Sequence, residues 1–158
     1  MTYYSRNRQN RQDTQSKNYH AVVMDLYSRK IVGWSFSRHR NAELTKSALR
    51  MALTRHPVTS GCIFHSDQGI EYAAHEYREL VEDAGMIRSM SHKGNPLDNA
   101  LVESFFHSLK AEVIHQRIFS DPIEATAHII EYIAFYNQER LHSGLGFNSP
   151  EDFERLCV

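Results

Sequence analysis

Cysteine is scarce in this chain. Cys62 and Cys157 are the two it has, which excludes a cysteine-rich metal knuckle. No stretch approaches the roughly 20 apolar residues of a membrane span, and the start MTYYSRNRQN is too polar for a signal peptide. Strong charge is missing as well. The formal net charge is −1, without the basic balance of an autonomous nucleic-acid binder. Ten histidines are present, yet none falls in an HExxH or in a pair at metal spacing. There is no internal repeat and no domain linker. What remains is one globular domain with no membrane part, and 158 residues at 41% hydrophobic content are enough to bury a core. A reducing cytoplasm is the default compartment, and Cys62, inside the apolar run CIF, reads as a buried thiol.

The charge that is present is uneven. Residues 1–17 hold Arg6, Arg8, Arg11 and Lys17 against Asp13 and show no periodicity after TYY. They read as a flexible, solvated basic segment, with a phosphate-touching arm as the alternative. Order is expected from residue 18. Tyr19–Leu26 and Ile31–Phe36 are β-rich runs around the polar link SRK, a hairpin pattern. The first run is nearly continuous in apolar character and should be a central strand. Leu44, Ala48, Met51 and Ala52 recur at helical spacing behind Asn41, a candidate N-cap, and Pro57 stops that helix. CIFHS is a strand, 73–84 a helix ended by Gly85, and MIRSMS a short strand, the length of a parallel crossover. After the turn-rich loop HKGNPLDN, a helix from about Asp98 carries Val102, Phe105, Phe106, Leu109 and Val113 on one face. Asp121, Pro122 and Glu124 open a further helix to about Gln138, and Ser149 opens a last short one.

Two carboxylates stand out. Asp67, in HSDQGIE, falls where a short buried strand meets a loop. Glu103 lies beside the apolar stripe of its helix, with Asn99, His107 and Lys110 on the same side. The 35 residues between Asp67 and Glu103 are enough for a helix, a strand and a loop to bring them together. Mg²⁺ is hard, prefers oxygen ligands and keeps several waters. Two such ions about 3.5–4 Å apart can hold the attacking and leaving oxygens of an in-line phosphoryl transfer, and carboxylates on rigid strand and helix ends suit this. By itself such a pair is weak evidence, since unrelated surface acids share the spacing.

The surrounding words carry more. VVMDLYSRKIVGWS resembles the second and third strands of bacterial insertion-sequence transposases of the DDE, retroviral-integrase core class. HSDQGIEY resembles their second catalytic Asp motif, GNPLDNALVESFFHSLKAE the helix bearing their catalytic Glu, and YNQERLHSGLGFNSPEDFE their C-terminal signature. The resemblance covers about residues 18–158. It implies an α/β, ribonuclease-H-like fold, a mixed five-stranded sheet flanked by helices. It also implies divalent-metal-dependent DNA cleavage and strand transfer, with Mg²⁺ as cofactor and Mn²⁺ able to replace it. Asp67 and Glu103 would then be catalytic metal ligands, and Lys110 and Asn99 would contact DNA. Expected partners are transposon ends and target DNA, together with other copies of this chain or intact transposase.

One departure matters. The family carries a third carboxylate on its first strand, in a word like DITY, and this chain begins MTYY. Counting back from Asp25 by the usual interval lands on Asn7. Asp13 has neighbours, RQDTQ, unlike a core strand, and Asp25 belongs to a normally structural position. The expectation is a core over 18–158 lacking its first strand and its first catalytic Asp, with TYYS at most a remnant, and impaired in cleavage. A non-catalytic relic that enters oligomers of intact transposase is the competing reading. An unrelated ribonuclease-H-like nuclease is a third, against which the C-terminal signature stands. His65 reads as a hydrogen-bonded strand-end histidine, Trp34 as core, and the Arg140–His142 segment as packing and capping structure.

Overall fold

A computed structural model describes the backbone of residues 2–10, and residues 18–67, 69, 72, 74–90 and 100–157 in full. Five strands form one sheet in the order β3-β2-β1-β4-β5: β1 (Thr2–Asn10), β2 (Asn18–Asp25), β3 (Ile31–Ser37), β4 (Ile63–Ser66) and β5 (Ile87–Met90). The first three run antiparallel, while β4 pairs in parallel with β1 and β5. Among the described residues, five α-helices flank it: α1 (Ala42–Arg55), α2 (His75–Asp83), α3 (Ala100–Glu112), α4 (Pro122–Gln138) and α5 (Pro150–Leu156).

The pleat explains the layering. Ala21 and Val23 of β2 point to a cluster with Leu44, Ala48, Leu49 and Ala52 of α1, Phe64 of β4, and Tyr77 and Val81 of α2. Val22 and Met24 point the other way, to Val102, Phe105, Phe106 and Leu109 of α3 and Ile129, Ile133 and Tyr136 of α4. A strand buried on both faces needs the continuous apolar run that β2 has. On one side α1 lies flat on β3 because Gly33 has no side chain: a Cβ there would collide with the Ala48 carbonyl oxygen and sit 2.9 Å from the Ala52 Cβ. On the other, buried Asn137 of α4 bridges to β3, accepting from the Ile31 N–H and donating to the Ile31 carbonyl, both at 2.9 Å.

The caps follow the sequence chemistry. Asn41 accepts the Leu44 N–H at 3.1 Å, Asp121 accepts the N–H groups of Ile123 and Glu124, and Ser149 accepts that of Asp152. Glu124 closes the box one residue further back than its usual partner, on the N–H and hydroxyl of Ser120. Gly85, at φ +70°, ends α2. Asp25 is structural: its carboxylate accepts the Tyr27 N–H at 3.0 Å and the Ser28 hydroxyl, closing the β2–β3 turn. Burial, outweighing the Tyr27 bond, raises its pKa.

The expectation of a flexible 1–17 and a core without a first strand gives way over Thr2–Asn10. That backbone is β1, in the middle of the sheet between β2 and β4. Its pairing runs Tyr3↔Asp25 to Asn10↔Asn18 on one side and Thr2↔Ile63 to Ser5↔Ser66 on the other. The polar run RNRQN lies past the end of β4 and pairs with β2 alone, and main-chain bonding to that neighbour asks for no apolar alternation. Asp13 lies outside the described residues.

Candidate active site

Asp67 is the first residue past β4, half-buried. Its Oδ1 accepts the Gly69 N–H at 2.9 Å, and the Gly69 carbonyl accepts the Tyr72 N–H at 3.0 Å. The Tyr72 ring, 1% exposed, meets Tyr77 edge-on at 5.2 Å, and Tyr77 in turn lies 6.0 Å from Phe64 of β4. His65, two residues before Asp67, bonds Ser89 of β5 through Nδ1 at 3.0 Å. It is a strand-end histidine tied to the neighbouring strand.

Glu103 stands in the first turn of α3, half-buried, with exposed His107 and half-buried Lys110 following on its side of the helix. The opposite side, Val102, Phe105, Phe106 and Leu109, is buried. The helix is set against β1, the strand next to β4. Phe106 packs on His20 at 5.3 Å, and His20 pairs with Arg8, beyond the row Ser5↔Ser66 in which β4 ends. Helix α3 is therefore anchored toward the end of the sheet from which Asp67 emerges. Asn99 lies outside the described residues. Among the described residues, no three His, Cys, Asp or Glu side chains cluster as a metal site. Two surface clefts, of about 380 and 290 Å³, are lined by other residues and include neither acid.

The first-strand carboxylate expected from the resemblance has no counterpart in β1: TYYSRNRQN contains no Asp or Glu. The register also separates two candidate positions. Asn7 pairs with Ala21, which packs toward α1, whereas Arg6 pairs with Val22, which packs toward α3. Arg6 is also one residue past Ser5↔Ser66, as Asp67 is on β4. Counting residues points to Asn7; strand register points to position 6.

The C-terminal segment contributes a brace that sequence reasoning did not find. Arg140, just past α4, donates to Glu112 at the end of α3, Nη2 to Oε1 at 2.8 Å and Nε to Oε1 at 3.2 Å. Tyr132 donates to the other carboxylate oxygen at 3.0 Å. Burial pushes the Glu112 carboxyl up, but these bonds and the Arg140 charge outweigh it and hold it below the usual glutamate value. Next to the brace, His142 is buried edge-on against Tyr136 at 4.7 Å. Burial, with the charges of Arg140 and Arg29, holds its pKa below the ordinary value of 6.5. His56 is lowered likewise by burial and the Lys30 charge.

The signs agree. The unfolded chain takes up protons on both histidines below about pH 6.5 while the folded one resists, so stability is lost as pH falls. Glu112, ionised longer when folded, adds a loss below about pH 4.5. Urea midpoints should drop steadily from pH 7.5 to 5, and His142→Gln should flatten that slope. Midpoints constant over the range would contradict the lowered pKa values of His56 and His142.

Family models described as integrase core domain match residues 2–96 and 84–150. The chain is 44% identical over 138 residues to the transposase for insertion sequence element IS904 of Lactococcus lactis subsp. lactis (strain IL1403), covering 87% of this chain and 54% of that protein. It is 44% identical over 137 residues to transposase InsF for insertion sequence IS3A of Escherichia coli (strain K12), covering 86% and 48%. The chain thus spans about half the length of the curated relatives it matches. Among solved structures, the HTLV-2 integrase catalytic core domain in complex with magnesium (dimeric form) superposes at a TM-score of 0.75 with 14% identity, covering 96% of this chain and 94% of that one. The catalytic core domain of BIV integrase does so at 0.73 with 18% identity, covering 99% and 94%. The mixed sheet with helices on both faces is thus the ribonuclease-H-like α/β fold, and the chain belongs to the integrase core domain family, in the branch of the bacterial insertion-sequence transposases.

Proposed function

We propose that the chain is the catalytic-core segment of an insertion-sequence transposase, acting on transposon ends and target DNA, with a divalent cation, Mg²⁺ or Mn²⁺, held by Asp67 and Glu103. What supports this most is the position of the two acids in a chain of this family: one directly past β4, the other in the first turn of α3. The donor set fits a hard cation, being two carboxylates on the ends of rigid elements. A bound cation would polarise a phosphodiester and favour ionisation of the attacking hydroxyl. Lys110, on the side of α3 that carries Glu103, would take a DNA phosphate, and Asn99 a further DNA contact. Copies of this chain, or of intact transposase, would complete the assembly, in the bacterial cytoplasm and on the nucleoid when DNA is bound.

The acid-free β1 favours a second element of the reading. Two carboxylates hold a cation more weakly than three, so cleavage and joining by this chain alone are impaired, and it acts as a DNA-binding or transposase-binding partner. Purified chain should bind end-containing duplex DNA with an affinity that rises with Mn²⁺ and falls with salt. It should nick no more with Mg²⁺ than Asp67→Ala does. Mg²⁺-dependent nicking lost in Asp67→Ala would overturn the impairment. Binding indifferent to Mn²⁺ in wild type and in both Asp67→Ala and Glu103→Ala would overturn the site.

A further inference from the structure

We infer that Tyr72 is a positioning residue for Asp67, acting through Gly69; this rests on the reading of Asp67 as a cation ligand. The argument is a chain of contacts. A carboxylate directly past a strand end has two side-chain torsions to fix before it can hold a cation in one direction. Here Oδ1 is tethered to the Gly69 N–H. Gly69 sits in a loop, and a tether to a loop is no firmer than the loop itself. The Gly69 carbonyl is in turn held by the Tyr72 N–H, and Tyr72 does not belong to the surface. Its ring is buried at 1% exposure in the cluster between α1, β4 and α2, edge-on to Tyr77, which itself lies against Phe64 of the strand that ends at Asp67. Asp67 directly follows β4, and the Tyr72 ring sits in the core cluster that includes Phe64 of β4. The start of α2 is pinned as well, by the ion pair of Glu76 with Lys46 of α1.

An aromatic side chain placed five residues past a metal ligand, buried on the opposite side of the sheet from α3, has an ordinary packing role. The two main-chain bonds give it a further one. They connect its position to the direction of a single carboxylate oxygen. Outer partners that orient a ligand commonly change metal affinity by 10–100-fold when removed, and those effects are separable from loss of fold stability.

The test is a Mn²⁺ titration of the whole chain, read by paramagnetic broadening of amide resonances around Gly69. Tyr72→Ala should raise the titration midpoint about tenfold, and Tyr72→Phe should leave it near wild type. Val81→Ala is the comparison. It opens the same core cluster from within α2, nine residues further along the chain than Tyr72, and should shift the midpoint less than about twofold. Tyr72→Leu is read in place of Tyr72→Ala if the latter does not fold, with a shift of at least about threefold expected. A midpoint unchanged in the Tyr72 variants, with binding lost in Asp67→Asn, overturns the inference and leaves the Asp67 reading standing. An equal shift in Val81→Ala reduces the effect to general softening and overturns it too. Binding unchanged in Asp67→Asn overturns the reading itself, and the inference with it.

Discussion

Replacing Arg6 with aspartate should tighten Mn²⁺ binding by the chain at least about tenfold, whereas Asn7→Asp should change it less than about threefold. The difference comes from register. Position 6 shares the row of Val22, on the face that packs with α3, and follows Ser5↔Ser66 by one residue, as Asp67 does on the neighbouring strand. Position 7 shares the row of Ala21, on the α1 face. Adjacent strands lie about 4.8 Å apart. Over that distance a unit charge and a divalent ion interact by roughly 1.7 kcal/mol even at the dielectric constant of bulk water, already more than a tenfold effect. The substitution also turns a positive formal charge into a negative one, doubling the swing. A third oxygen ligand would add direct coordination to that. Calorimetric or paramagnetic Mn²⁺ titration of the two variants side by side decides it. Equal tightening in both, or none in Arg6→Asp, would mean that β1 does not bring position 6 alongside Asp67. If Arg6→Asp also restores Mg²⁺-dependent nicking that is lost again in the double variant with Glu103→Gln, the acid-free first strand is what impairs this chain.

Residue counting and strand register differ at positions 6 and 7 because register is set by neighbouring strands rather than by local pattern. The elements read correctly from the sequence are those whose cause is local. Asn41, Asp121 and Ser149 cap helices with their own side chains. The alternation of Ala21, Val22, Val23 and Met24 between two cores is the pleat of one strand. Gly85 turns where only a residue tolerant of positive φ ends a helix cheaply. The helix expected over 73–84 is shorter, His75–Asp83, and the ring of Tyr72, ahead of it, is drawn into the core. What escaped is non-local. Strand β1 has no apolar alternation of its own and is held by the main chains of β2 and β4, the second of them some sixty residues away. The Glu112–Arg140 brace joins residues 28 apart, and the packing role expected of the Arg140–His142 segment came with no partner named. The candidate site divides the same way. Asp67 at a strand end was legible from CIFHSD, and Glu103 beside an apolar stripe from helical spacing. The proposal that the two serve one cation rests on the family resemblance, and the tether from Asp67 to Tyr72 is visible only in the fold.

Phe105→Ala should remove about 3–5 kcal/mol of folding stability, a large share of the roughly 5–15 kcal/mol available to a domain of this kind. The ring is 1% exposed and stands where α3 meets α4. It lies edge-on to Tyr136 at 4.9 Å and 88°, and to Phe106 at 5.4 Å, with Tyr132 at 6.2 Å. Truncation leaves a void that three aromatic neighbours cannot fill by rotation, because Tyr132 is held through its hydroxyl to Glu112 and Tyr136 is wedged against His142. The edge-on pairs add to the transfer loss by about 0.5–1.5 kcal/mol each. Urea unfolding should show a lower midpoint with an unchanged slope, since the surface exposed on unfolding is nearly the same. The comparison is Phe119→Ala, whose ring is only partly buried at the edge of the same cluster and should cost less than half as much. The folded fraction of Phe105→Ala should titrate with Mn²⁺ at nearly the wild-type midpoint, because Glu103 sits on the other side of α3 and keeps its helix. A loss below about 1 kcal/mol would mean that the α3–α4 seam can collapse around the missing ring, and that the hydroxyl and imidazole contacts do not hold its neighbours as the coordinates imply.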